Sequence, residues 1–91
     1  MERVRLVISG DVHGVGFRFT AIEIGRDLGL TGWVCNKPDG SVEIIAEGEK
    51  DKLDNLVIWA KKGPALARVD NMKVEWQKAT GEFKYFEVNY Q

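Results

Sequence analysis

The chain has 91 residues, 44% of them hydrophobic and 30% charged, and 13 Lys and Arg against 14 Asp and Glu leave a formal net charge of −1 at pH 7. That length supplies one hydrophobic core and excludes a second domain, and the near-neutral balance provides no polycationic field for a nucleic-acid backbone or an anionic membrane. The apolar runs fall far short of the roughly 20 residues needed to cross a bilayer, and a lone Cys35 with no signal-peptide pattern before it predicts a cytoplasmic protein without disulfides.

Val4-Arg5-Leu6-Val7-Ile8 is rich in β-branched residues and is stopped by Ser9-Gly10, which predicts a strand with at least one buried face. Gly10, Gly14 and Gly16 punctuate the loop that follows. Phe17, Ala21, Ile24 and Leu28 recur at helical spacing and predict a helix over Phe17 to Leu28, with Gly29 placed to end it in the left-handed conformation. Gly32 to Asn36 and Ser41 to Glu47 read as a hairpin closed by Lys37-Pro38-Asp39-Gly40, where Pro38 presets one turn dihedral and Gly40 supplies a positive φ. Leu53, Leu56, Val57 and Ala60 form the apolar stripe of a second helix, Glu49 to Lys62, ended by Gly63-Pro64. Val69 to Trp76 and Tyr85 to Tyr90 are the remaining strand candidates. This β-α-β-β-α-β order predicts a ferredoxin-like α/β sandwich of the α+β type, an antiparallel sheet covered on one face by two helices. Such a fold hosts many chemistries, so function rests on particular residues.

The segment Gly10 to Arg18 lies between a strand end and a helix start. There unpaired N–H groups and the helix dipole favour an anion, and glycines let the backbone curl until successive amides converge. Arg18, in the first turn, adds a planar fork of donors matched to two phosphate oxygens. By spacing alone, a tight turn beside a solvated arginine fits equally well. No G-x-x-x-x-G-K-[ST] pattern occurs, and Phe19 stands where G-x-G-x-x-G needs its third glycine, which disfavours nucleotide cofactors. Asn36, taken by itself, reads as a strand-end residue serving the adjoining turn. Cys35 points to the opposite strand face, which it shares with a partly exposed Trp33. Trp33, Trp59 and Trp76 read as packing residues, and no Cys, His or carboxylate set has metal-ligand spacing.

Two blocks, GDVHGVGFR over Gly10 to Arg18 and GWVCNKPDGSVEIIAEG over Gly32 to Gly48, resemble the acylphosphatase family, and KKGPALARV over Lys61 to Val69 resembles a further family segment. The resemblance covers nearly the whole chain. It implies hydrolysis of a mixed carboxylic–phosphoric anhydride to a carboxylate and inorganic phosphate, with a small acyl phosphate as substrate, inorganic phosphate as product and inhibitor, and neither cofactor nor metal. It further implies that Arg18 binds phosphate, that Asn36 positions the water, and that the backbone of Asp11, Val12, His13, Gly14, Val15, Gly16 and Phe17 cradles the phosphoryl group. Two positions depart from the family pattern: Asp11 stands where a basic residue is usual, and His13 where a glutamine is usual. Asp11 is expected to repel an anionic substrate through a screened interaction, whereas His13 retains a donor and is given no catalytic role.

The chemistry of such a substrate fits this residue set. A carboxylate leaving group, whose conjugate acid has a pKa of about 4, departs at neutral pH without a general acid, so the work left is to position water and hold phosphoryl charge. With no side-chain base near in sequence, the proton of the attacking water is expected to pass to a phosphoryl oxygen. Two other classes compete. Phe83, Tyr85 and Phe86 suggest an RNA-binding module on the open sheet face, but GEFKYFEV lacks the glycine–aromatic pattern of RNA-recognition domains and the charge is unfavourable. A non-catalytic domain that binds acyl or carbamoyl phosphate is the nearer alternative, because acylphosphatase-like domains also head the hydrogenase-maturation carbamoyltransferases. A chain of 91 residues favours a free-standing, monomeric enzyme acting on a small molecule, with no nucleic-acid or membrane partner.

Overall fold

The computed structural model describes residues 1–90. Seven elements follow in order: β1 (Glu2–Asp11), α1 (Phe17–Asp27), β2 (Thr31–Asn36), β3 (Val42–Gly48), α2 (Lys50–Lys62), β4 (Arg68–Lys78) and β5 (Phe86–Val88). The strands form one sheet in the order β4-β1-β3-β2-β5, with both helices on one side, as the ferredoxin-like reading expects. β1 runs antiparallel to β3 and β4, and β2 antiparallel to β3.

The expectation of a wholly antiparallel sheet needs correction, because β5 pairs parallel to β2, with Gly32 opposite Phe86. The chain leaves β4 at the end of the sheet where β2 begins and enters the far edge alongside that beginning. It therefore runs in the same direction as β2. A period-two pattern reports which face is buried and carries no information on strand direction.

Alternation along β1 buries Val4, Leu6 and Ile8 completely. Opposite them in β3 stand Ala46, Ile44 and Val42, also fully buried. Leu53, Leu56, Val57 and Ala60 of α2 and Phe17, Ala21, Ile22 and Gly25 of α1 close over this layer. Gly25 has a packing reason: a Cβ there would lie 3.0 Å from the ring of Phe86, which is buried under α1. α1 then ends in a Schellman turn, in which Leu30 N–H donates to Gly25 C=O at 2.9 Å and Gly29, at φ 71°, donates to Arg26 C=O at 3.0 Å.

The opposite sheet face mixes Val7, Trp33, Cys35 and Ile45 with paired charges. Arg3 Nε donates to Glu47 Oε2 at 2.7 Å and Arg5 Nε to Glu43 Oε2 at 2.6 Å. Glu47 is buried and also accepts the N–H groups of Thr80 and Gly81, at 2.9 and 3.0 Å. Burial alone would push its carboxyl up, but the Thr80 amide, the Arg3 guanidinium and the Gly81 amide more than offset this and hold it below the ordinary glutamate value. Among the described residues no helix is long and apolar enough to cross a membrane.

Candidate active site

The site starts from a backbone irregularity. The β1–β4 register shifts between Ser9 and Gly10, and Gly10 sits at φ 133°, where a Cβ would come within 2.2 Å of the Arg68 carbonyl oxygen. Only a residue without a side chain lets the strand end lie this close to β4. Gly14 and Gly16, both left-handed at φ 71° and 79°, then turn the chain into α1. Gly16 is the helix N-cap and offers no side chain to the first-turn amides, and that turn holds no acidic residue. The first intrahelical bond is Thr20 N–H to Gly16 C=O at 3.0 Å. The amides of Phe17, Arg18 and Phe19 thus have no acceptor within the helix.

These groups border a cleft of about 130 Å³ lined by Val12, Gly14, Gly16, Phe17, Arg18, Phe19 and Asn36. The helix and hairpin therefore bring Arg18 and Asn36 onto one cavity although they lie far apart in sequence. Asn36 closes β2, and its Oδ1 is buried and accepts no hydrogen bond from any described residue. The adjoining turn is held by other residues: Lys37 N–H donates to Ser41 C=O at 2.9 Å, Gly40 N–H to Lys37 C=O at 3.0 Å, and the Ser41 N–H and hydroxyl both donate to Asp39 Oδ1, at 2.9 and 2.6 Å. The Ser41 hydroxyl and then its amide hold the Asp39 carboxyl below its ordinary pKa. The side chain that serves the turn is therefore Asp39, and Asn36 faces the cleft with an unanswered acceptor, a state worth about 1–3 kcal/mol once a donor is supplied.

Of the seven loop positions expected to cradle phosphate, Val12, Gly14, Gly16 and Phe17 line the cleft, while Asp11, His13 and Val15 do not. Asp11 is the last residue of β1, exposed and opposite Arg68 in the β4 register. Val15 packs against the core. His13 Nε2 lies 2.9 Å from the Ser41 carbonyl oxygen, and because a carbonyl only accepts, Nε2 carries the proton. This bond clasps the glycine loop to the hairpin that carries Asn36. Phe17 is fully buried and meets Trp59 in a tilted aromatic pair, 5.1 Å between centroids, which anchors the start of α1.

Two aromatic neighbours of the site escaped sequence reasoning. Phe19 lines the cleft, and the Tyr90 ring lies 5.8 Å from Cζ of Arg18. The one available signal was that Phe19 falls off the apolar stripe of its helix. Larger hollows exist, such as one of about 460 Å³ beside Trp33, Phe83 and Tyr85, but it gathers no helix start, arginine and buried amide together. Among the described residues no group of three or more His, Cys, Asp or Glu side chains is placed to hold a metal ion.

The acylphosphatase family model matches residues 4–88. The chain belongs to the acylphosphatase family. An acylphosphatase of Methylococcus capsulatus is 47% identical over 88 residues, which span 97% of this chain and 96% of that relative. The acylphosphatase of Bacillus subtilis, known from a crystal structure, superposes with a TM-score of 0.95 at 33% identity, covering 99% of this chain and all of the other. The crystal structure of full-length HypF in its phosphate- and nucleotide-bound form contains the same acylphosphatase-like fold. It covers 98% of this chain but only 12% of its own length, with a TM-score of 0.88 and 27% identity.

Proposed function

We propose that this protein hydrolyses the carboxyl–phosphate bond of small acyl phosphates to a carboxylate and inorganic phosphate, without metal or cofactor. One observation carries the reading: an arginine, the unpaired first-turn amides of α1 and a buried, unpartnered amide oxygen converge on one cleft. The Arg18 guanidinium and the amides of the cleft-lining loop residues Gly14, Gly16 and Phe17 hold the phosphoryl oxygens, and Asn36 Oδ1 accepts a hydrogen bond from the attacking water and aims its lone pair at phosphorus. As the water oxygen bonds to phosphorus, the bond from phosphorus to the acyl oxygen breaks and the electron pair leaves with the carboxylate. The water proton passes to a phosphoryl oxygen, so an acyl phosphate dianion and water give a carboxylate and dihydrogen phosphate. The leaving group needs no acid, since its conjugate acid has a pKa of about 4, and charge stabilisation by preorganised donors supplies the rest.

Likeness to a domain of HypF gives the second reading, a module that binds an acyl or carbamoyl phosphate without turning it over. Turnover separates the two. Purified protein is expected to release phosphate from benzoyl phosphate at neutral pH at the same rate with and without chelator. Binding of phosphate with no release would favour the module, and strong activation by a divalent ion would contradict the metal-free mechanism.

A further inference from the structure

Every group assigned so far grips the phosphoryl end of the substrate. The cleft is small, about 130 Å³, and its polar groups are all assigned to the phosphoryl end and the attacking water, so the acyl group is placed across its rim. Two aromatic side chains stand there. Phe19 borders the cleft while remaining 71% exposed, and α1 buries Phe17, Ala21, Ile22 and Gly25 instead. No core contact accounts for an aromatic ring at this position. Tyr90 is 81% exposed and reaches the same region because Asn89 N–H donates to the Val34 carbonyl at 2.8 Å, two residues before Asn36. Its ring covers the Arg18 guanidinium at 5.8 Å, which leaves the edge donors of that group free for oxygens.

We propose that Phe19 and Tyr90 form an aromatic rim that reads the acyl group, so that aryl and bulky apolar acyl phosphates are preferred over acetyl or carbamoyl phosphate. A flat apolar acyl group buries its own surface and that of two otherwise wetted rings as the phosphoryl group enters the cleft. An acetyl group offers less apolar surface to either ring, and a carbamoyl group would lose hydration against them. This specificity rests on the acyl phosphatase reading of the same cleft.

The test compares affinities for two unreactive mimics, benzoylphosphonate and acetylphosphonate, by calorimetry. Alongside these, kcat/KM for benzoyl and acetyl phosphate is measured in the native protein and in Phe19→Ala, Tyr90→Ala and the double variant. Both the affinity ratio and the kcat/KM ratio should favour the benzoyl compound in the native protein. Each single variant should lower them by roughly 2- to 10-fold, the worth of one aromatic contact, and Tyr90→Phe should restore what Tyr90→Ala loses. Inhibition by inorganic phosphate, which has no acyl group, should stay unchanged throughout. Equal affinity for the two mimics in the native protein, or a ratio unmoved in the double variant, would overturn the rim. Weakened phosphate inhibition in Tyr90→Ala would likewise overturn its acyl role and leave the ring as a support for Arg18. Absence of any hydrolysis would sink the enzymatic reading alone, since the mimic ratio decides the rim independently.

Discussion

At the residue scale, Arg18 and Asn36 divide the labour of the proposed reaction. A guanidinium that holds phosphoryl oxygens acts on ground state and transition state alike, so Arg18→Ala should remove most turnover and weaken competitive inhibition by phosphate. Arg18→Lys keeps the charge but loses the planar fork and should rescue little; steady-state kinetics of both variants checks this, and near-native rates in the lysine form would show that a point charge suffices. In the proposed mechanism Asn36 acts along the reaction path. Asn36→Ala should lower kcat by roughly 10²–10³, the effect of losing one preorganised hydrogen-bonding group, with phosphate inhibition retained. Asp11 is exposed at the end of β1 opposite Arg68, so its charge acts on the substrate only through a screened and partly offset field. Asp11→Asn should lower KM modestly at low salt and lose that advantage at high salt. The glycine-rich strand-to-helix junction gave Arg18 a physical reason to face an anion but fitted a solvated arginine equally well, and the structure adds that Arg18 lines the same cleft as Asn36. Asn36 was not legible by spacing, since an asparagine ahead of a Pro-Asp-Gly turn looks like a turn residue until Asp39 is seen holding the turn. Tyr90 was read only as the end of a strand, because no local pattern places it against an arginine so distant in sequence.

At the scale of elements, the site depends on how the loop and hairpin are held together. His13 bonds the glycine loop to the Ser41 carbonyl of the turn beyond Asn36, a link between segments far apart in sequence. His13→Ala should lose about 0.5–1.5 kcal/mol of stability and reduce kcat by loosening the approach of Asn36 to the loop. His13→Gln, which keeps a donor, should retain most of both, as denaturant unfolding and kinetics would show. The bulge at Gly10 is less forgiving. Its positive φ and the 2.2 Å approach of an added Cβ to the Arg68 carbonyl predict that Gly10→Ala destabilises by on the order of 2–3 kcal/mol. Both helices and the hairpin were readable from apolar period and turn chemistry, and the caps followed from Gly29 and Gly63. The parallel direction of β5 was not, because it depends on where the chain emerges from β4 at the opposite edge of the sheet.

At the scale of the molecule, one sheet face is apolar under two helices and the other sets arginine–glutamate pairs beside Val7, Trp33, Cys35 and Ile45, closed by the segment after β4. Sequence alternation marked the second set of side chains only as polar, and cross-strand register alone reveals that Arg3 meets Glu47 and Arg5 meets Glu43. Within these pairs, Glu47 contributes to the acid response. The folded Glu47 carboxyl titrates below its ordinary value, so in acid the unfolded chain binds its proton first. The stabilisation it gives is present above the ordinary glutamate pKa and is lost as pH falls through the lower, folded value. Glu47→Gln should therefore flatten the loss of stability in acid, as unfolding curves across that range would record. The central claim concerns the other side of the fold, where the cleft holds a phosphoryl group while water attacks phosphorus. The most direct measurement is hydrolysis of benzoyl phosphate in water labelled with heavy oxygen, followed by mass analysis of both products. Attack on phosphorus puts the label in inorganic phosphate; label in benzoate would place the attack on the acyl carbon and contradict the proposed mechanism.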